Sequence, residues 1–185
     1  MAVFAVRGYR NASLAEIADR VGMTHAGVLH HFASKEQLLV EVLEYRDSSD
    51  VQDLEGHHAP AGLELLQHLI RTAATNAQRP GIVQSYSVLS AEAVTEDHPA
   101  QEWFRRRYAG LRQMISEAIA EGLGPEAAPT EPELSAATAA IIAMMDGLQV
   151  QWLLEPAAID MPSSVHLVID VLLEHWRRAA GSAGA

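Results

Sequence analysis

Lys35 has the position in this sequence that most clearly predicts a chemical role. It is the only lysine in the chain, and it follows Ser34 in the first turn of a predicted helix. The helix dipole disfavours a cation there, so a phosphate held jointly by Lys35 and the helix amides would explain its placement. A simply solvated lysine is the alternative. The placement of Lys35 therefore indicates that the chain binds phosphate.

Catalytic and metal-binding arrangements are poorly represented. No nucleophile, base and orienting group fall into a recognisable pattern, and His98 and His175 stand alone in the sequence. His57, His58 and His68 are the best candidate metal ligands, but no carboxylate or cysteine spacing accompanies them. We therefore predict a protein that is not an enzyme and that holds no metal or cofactor.

Composition and charge restrict the class of protein. The chain has 185 residues, of which 49% are hydrophobic, enough for one or two domains with a sizeable core. It has no cysteine, no export signal and no run of about 18 apolar residues, so we expect a cytoplasmic protein that does not enter a membrane. The net charge of −11 argues against nucleic-acid binding. Residues 1–47 carry little of that charge, since they contain five basic and six acidic residues.

The stretch Ser13–Leu39 is typical of three short helices. Ser13 and Glu16 have capping-box spacing, and Gly22 can end the first helix in a left-handed conformation. Thr24 can cap the second helix. Two short helices joined by a glycine turn form a helix-turn-helix, whose second helix can enter the major groove of DNA.

The residues on either side of this stretch complete an N-terminal module. Residues 1–7 are expected to form a short apolar helix ended by Gly8, and Tyr9 and Arg10 follow where they could touch a phosphate. A packed tyrosine and a solvated arginine are the alternative. Ser34 and Gln37 have the capping-box spacing that begins a third helix. We expect the helix-turn-helix domain to span residues 1–47, before a hinge at residues 56–62.

The remainder of the chain keeps a helical pattern without the alternation of a half-buried strand. The sequence therefore predicts an all-α protein, in which residues 48–185 form a C-terminal helical domain. Its five helices are predicted at about Leu63–Gln78, Ile82–Ala93, Ala100–Glu121, Pro132–Leu154 and Val165–Ala180, the last beginning at Ser163 or Ser164.

The last two predicted helices are apolar over most of their circumference, so each must be buried against more than one neighbour. This favours a four-helix bundle shared by two copies of the chain, a homodimer. Burial of both helices inside a monomer core is the alternative.

A small-molecule pocket is predicted among the middle helices of the C-terminal domain. Methionine and aromatic surfaces adapt to varied apolar ligands, and a few polar groups orient them. For any single residue, plain core packing is the alternative. The predicted lining residues are Trp103, Phe104, Tyr108, Met114, Met144, Met145, Gln149 and Trp152.

The N-terminal residues resemble the tetracycline-repressor (TetR) family of bacterial transcriptional regulators. GYRNASLAEIADRVGMT, residues 8–24, resembles the family's first stretch, and AGVLHHFASKEQLL, residues 26–39, resembles its recognition helix and the start of the next helix. The resemblance covers about residues 1–47. Beyond them only the number and order of helices match. In the family the C-terminal helices bind a small molecule and dimerise, so the resemblance implies both roles here.

The resemblance also implies which residues meet DNA. His25, Ala26 and Gly27 fall where the family reads base edges, and His30, His31 and Lys35 fall where it meets phosphates. Together with the capping residues and the preceding tyrosine, the predicted DNA-binding set is Tyr9, Ser13, Thr24, His25, Ala26, Gly27, His30, His31 and Lys35.

Three features depart from the family pattern. Gly27 and Leu29 stand where members often carry threonine and tyrosine, two hydroxyl donors to phosphate. The first helix is about half the usual length and lacks preceding basic residues, so we expect the natural start to lie upstream of Met1.

The expected function is a DNA-binding regulator, a repressor released by a small apolar molecule from a palindromic double-stranded DNA operator. The alternative is an all-helical small-molecule binding protein or an enzyme with a degenerate N-terminal module.

Overall fold

A computed structural model describes residues 1–49 and 60–183. Within these two ranges the regular structure is entirely helical, which confirms the predicted all-α class. The helices are α1 (Ala2–Asn11), α2 (Leu14–Arg20), α3 (His25–His31), α4 (Lys35–Ser49), α5 (Gly62–Asn76), α6 (Pro80–Glu92), α7 (Gln101–Leu123), α8 (Glu131–Leu154) and α9 (Met161–Ala183). Most of the predicted hinge, and with it His57 and His58, lies outside the described residues.

The described residues divide into two compact units. The first contains the described parts of residues 1–53 together with residues 79–106, and the second contains those of residues 54–78 and 107–185. The first unit thus contains α6 in addition to the helix-turn-helix. The division of function between residues 1–47 and 48–185 stays a prediction.

The first unit is centred on the packing of α1 against α6. Its largest fully buried side chains include Phe4, Leu39 and Leu89. The predicted break in α1 occurs at Gly8, whose φ of 68° and ψ of 179° lie in a region that is essentially restricted to glycine. A Cβ on residue 8 would overlap the Glu92 carboxylate. Glycine is therefore required here both by backbone conformation and by space.

The helix caps of the first unit follow the predicted positions but not every predicted bond. Ser13 Oγ accepts from the Glu16 N–H at 3.1 Å, as expected. The Glu16 carboxylate does not complete the box and lies 3.4 Å from Arg7 Nε instead. Side-chain capping by Ser34 is confirmed, because its Oγ accepts from the Gln37 N–H at 3.2 Å.

The second unit is built on the packing of α9 against α5 and α8. Its predicted helices begin and end within a few residues of those observed, and the predicted Thr130–Glu133 capping box is present. The predicted start of the last helix is wrong. α9 begins at Met161 because Asp160 acts as its cap, accepting from the Ser163 N–H at 3.0 Å.

Among the described helices, α8 is long and apolar enough to cross a membrane by length and composition alone. Core helices of soluble proteins pass the same test. Only 33% of its most apolar 18-residue window is buried within the chain, so α8 leaves apolar surface uncovered.

Candidate functional site

The α2–α3 pair has the local structure of a helix-turn-helix. Gly22 has a φ of 70° and carries the chain out of α2 in the left-handed conformation predicted for it. Thr24 then caps α3, since its Oγ1 accepts from the Gly27 N–H at 3.0 Å. Val28 turns inward and is 3% exposed. These contacts fix which face of α3 lies outward.

The outward face of α3 carries residues predicted to meet DNA. His25, Ala26, His30 and His31 are exposed, and Gly27 is half-buried. A side chain on Gly27 would press on Thr24, since its Cβ would stand 3.2 Å from Thr24 Oγ1. The glycine that departs from the family pattern therefore fits closely against the helix cap.

Lys35 binds groups of its own chain. Its Nζ donates to the carbonyl oxygens of Tyr9 at 3.0 Å and Ala12 at 2.9 Å, and it lies 4.4 Å from the centre of the Tyr9 ring. It thereby satisfies carbonyls at the end of α1, a role that sequence reasoning did not consider. One of its three N–H donors remains for a phosphate, so that contact stays a prediction.

Tyr9 is packed in the core, which was the alternative to a phosphate contact. It is 8% exposed, and its hydroxyl donates to Glu36 Oε1 at 3.0 Å. Burial, together with the Glu36 carboxylate, raises the pKa of Tyr9 to about 12. The hydroxyl is therefore neutral and already engaged. Arg10 is exposed and donates to Thr95 Oγ1 at 3.4 Å and to the Glu96 carbonyl at 3.3 Å.

His98 is buried in the same unit, with its ring edge-on to Tyr9 at 5.2 Å. Its Nδ1 accepts from the Ala100 N–H at 3.3 Å, so the neutral ring carries its proton on Nε2. That nitrogen lies 3.8 Å from Glu92 Oε2. Burial lowers the pKa of His98.

The predicted ligand-binding residues are divided between the two units. Trp103 and Phe104 belong to the first unit, where the Phe104 ring lies 5.4 Å from that of Tyr86. The other six belong to the second unit, where Tyr108 donates to Asp146 at 2.6 Å, Met114 is 37% exposed and Trp152 is 7% exposed. Their role as a ligand-binding set stays a prediction.

Met145 and Gln149 line a cavity of about 10 Å³, space for about one water molecule. The remaining lining residues are Ala73, Asn76, Leu148, Met161 and Val165. Sequence reasoning missed Asn76. A signal existed, because Asn76 continues the buried stripe of Leu69 and Ala73 along α5 and places an amide where the pattern calls for an apolar residue.

No group of three or more histidines and carboxylates that could hold a metal ion occurs in the part of the chain that the structure describes. His68 is buried, and its Nε2 lies 3.4 Å from Thr72 Oγ1. Its two proposed partners, His57 and His58, are not among the described residues.

Comparison with known protein families identifies the family to which the chain belongs. Residues 1–42 match the bacterial regulatory proteins of the tetR family, and residues 63–177 match the C-terminal domain of BetI-type transcriptional repressors. The chain belongs to the TetR family. TetR-family regulators bind DNA operators and small-molecule effectors and work as dimers. The family assignment supports a DNA-binding transcriptional regulator over the alternative of a binding protein or enzyme with a degenerate module.

Individual TetR-family relatives are similar over almost the whole chain. The HTH-type transcriptional regulator AcrR of Shigella flexneri is 26% identical, over 94% of this chain and 84% of its own length. The HTH-type transcriptional regulator TtgR of Pseudomonas putida is 25% identical, over 94% of this chain and 86% of its own length.

Solved structures share the fold of this TetR-family chain. A transcriptional regulator from Rhodococcus sp. Rha1 has a TM-score of 0.70 at 20% identity, covering 96% of this chain and 91% of its own. NalD, the secondary repressor of the MexAB-OprM multidrug efflux pump in Pseudomonas aeruginosa, has a TM-score of 0.59 at 19% identity, covering 93% and 88%.

Proposed function

We propose that the protein is a cytoplasmic repressor without catalytic activity that binds a palindromic operator as a homodimer and is released by a small apolar effector. The observation that carries this proposal is the exposed outer face of α3 on a capped helix-turn-helix. A helix of seven residues reads few base pairs, so two copies in successive major grooves, about 34 Å apart, are needed to specify a site.

The DNA-binding set divides by exposure. Ser13, Thr24, His25, Ala26, His30 and His31 are exposed and are assigned to direct contact with the duplex. The assignment places His25, Ala26 and Gly27 against base edges and the two other histidines against phosphates. Tyr9 and Lys35 act by fixing the end of α1 behind them, and Lys35 adds one phosphate contact.

The dimer contact is assigned to the outer faces of α8 and α9. Val150 and Leu154 on α8 are 48% and 78% exposed, and Leu167 and Val171 on α9 are 64% and 59% exposed. Each pair lies four residues apart and so forms one helical face. Exposed apolar faces of this kind mark protein interfaces, which supports a four-helix contact between two copies.

The effector is assigned to the second unit, where part of the predicted set already lines a cavity. Effector binding favours an arrangement of the dimer that no longer fits the two half-sites, because a ligand shifts a conformational equilibrium by its difference in affinity for the two states.

A gel shift with the DNA upstream of the gene tests the proposal. We expect retention that unlabelled specific DNA competes away and unrelated DNA does not, at several salt concentrations. Ala26→Glu should weaken binding at least about tenfold, because it places a negative charge at the duplex. The matched control is Ala91→Glu, an exposed alanine on α6, which should leave binding unchanged. Equal competition by unrelated DNA would overturn the proposal.

A further inference from the structure

The cavity between α5, α8 and α9 contains two buried side-chain oxygens that accept no hydrogen bond. They are Asn76 Oδ1 and Gln149 Oε1, from residues that are 2% and 6% exposed. No described group donates to either atom. Buried amide oxygens are normally paired, and an unpaired one in a native protein calls for an explanation. Two of them on the wall of one cavity point to a ligand that supplies the missing donors.

The other walls of the cavity determine the rest of the ligand's chemistry. Ala73, Met145, Leu148, Met161 and Val165 complete the lining, and all five are apolar. No ionisable side chain lines the cavity. A charged ligand would be buried here without a counter-ion, which is strongly unfavourable. The ligand is therefore uncharged, with a compact apolar body beside its donor groups.

We propose that this cavity binds a small uncharged molecule that donates hydrogen bonds to Asn76 Oδ1 and Gln149 Oε1 and lays its apolar body against Met145 and Met161. As it stands, the cavity holds about one water molecule, so binding requires the methionine side chains to change rotamer. Met145 and Leu148 are half-buried and form the side of the cavity where such a change meets least resistance. Because Met161 lies on α9, filling the cavity acts directly on the packing of α9 against α8.

Three probes of similar size separate the chemical possibilities. Benzamide carries two N–H donors, acetophenone replaces its amino group by a methyl group, and benzoate is an anion. Methyl-¹³C methionine spectra of the full chain report binding through Met145 and Met161, which are assigned by their leucine variants. We expect millimolar benzamide to shift both signals, with an affinity at least about tenfold higher than that of acetophenone and with no shift from benzoate.

Variants show whether the two amides are the acceptors. Gln149→Met should lower the benzamide affinity to that of acetophenone. If this variant folds poorly, Asn76→Leu is measured in its place, and the same loss of affinity is expected. Neither substitution should lower the melting temperature of the free protein, because each replaces an unpaired polar group by an apolar side chain of similar length or branching. The matched control is Gln151→Met, an exposed position on α8, which should leave benzamide binding unchanged.

Equal affinities for benzamide and acetophenone, tighter binding of benzoate, or no shift at millimolar benzamide would each overturn the proposal. Because the proposal rests on the effector-controlled function proposed above, the gel shift is run on the same preparation. Specific DNA retention with failed benzamide binding rejects only this ligand chemistry. Absent DNA retention rejects the function, whatever the probes do.

Discussion

Glu92 accepts a hydrogen bond from the backbone N–H of Tyr9 at 2.6 Å, and its carboxylate occupies the space where a side chain on Gly8 would stand. Glu92 is the last residue of α6, and Tyr9 follows the break in α1. His98 lies 3.8 Å from the same carboxylate. Within the first unit, α6 and the residues after it therefore hold the segment that leads into the helix-turn-helix.

Gly8→Ala should destabilise the protein strongly. The φ of 68° is strained for alanine, and the new Cβ would displace the carboxylate that binds the Tyr9 N–H. We expect the free energy of unfolding to fall by about 2 kcal/mol or more in urea titrations at fixed protein concentration. Gly110→Ala is the matched control, since it lies within α7 with nothing within 4 Å of its Cβ, and it should stabilise by about 0.5–1 kcal/mol. An unchanged or increased free energy of unfolding in Gly8→Ala would contradict this account of Gly8.

Lys35→Met should affect stability and DNA binding separately. Loss of two charged hydrogen bonds to the end of α1 should lower the free energy of unfolding by about 2 kcal/mol. Loss of the proposed phosphate contact should reduce the slope of log K against log salt concentration by about one. Arg177→Met, an exposed cation on α9, should change neither quantity. An unchanged slope would limit Lys35 to its contacts within the chain.

His98 should make stability depend on pH below about 6.5. Burial lowers its pKa from the usual value of 6.5, the charge of Arg10 lowers it further, and the Glu92 carboxylate acts in the opposite direction. The unfolded chain therefore takes up a proton first as the pH falls, so the free energy of unfolding decreases from about pH 6.5 down to the pKa of the folded state. In His98→Asn, where the amide oxygen can still accept from the Ala100 N–H, this decrease should be smaller. Parallel curves for the two proteins would contradict it.

Leu167→Glu should weaken the proposed dimer. The change places a charge on the exposed apolar face of α9, where Leu167 is 64% exposed. We expect the dimer dissociation constant to rise more than about tenfold in analytical ultracentrifugation, with a parallel loss of operator affinity. Val94→Glu, at a valine that is 81% exposed in the first unit, should leave both unchanged. A dimer that persists unaltered would place the contact elsewhere.

The helices and their ends follow closely from the sequence because their signals are local. Gly22 ends α2, Thr24 caps α3 and Thr130 begins α8, each through contacts within a few residues. The predicted start of α9 was wrong for an equally local reason. Asp160 caps as well as serine does, and Pro162 is acceptable in the first turn of a helix.

The partners of the site residues could not be predicted, because they come from distant parts of the chain. Nothing near Lys35 in sequence indicates that it binds the Tyr9 and Ala12 carbonyls. That Asn76 and Gln149 line the same cavity likewise depends on how α5 and α8 pack. The sequence identifies residues whose side chains could bind a ligand or DNA, whereas atoms without a hydrogen-bond partner can be found only in the three-dimensional structure.

The unique lysine gives the protein a built-in chemical footprint. Apart from the α-amino group, Lys35 Nζ is the sole amine that an acylating reagent can modify, and it is half-buried against the end of α1. Its acylation rate therefore measures how often α4 releases α1. A single mass increment read by intact-protein mass spectrometry would follow local opening of the DNA-binding module without any introduced label.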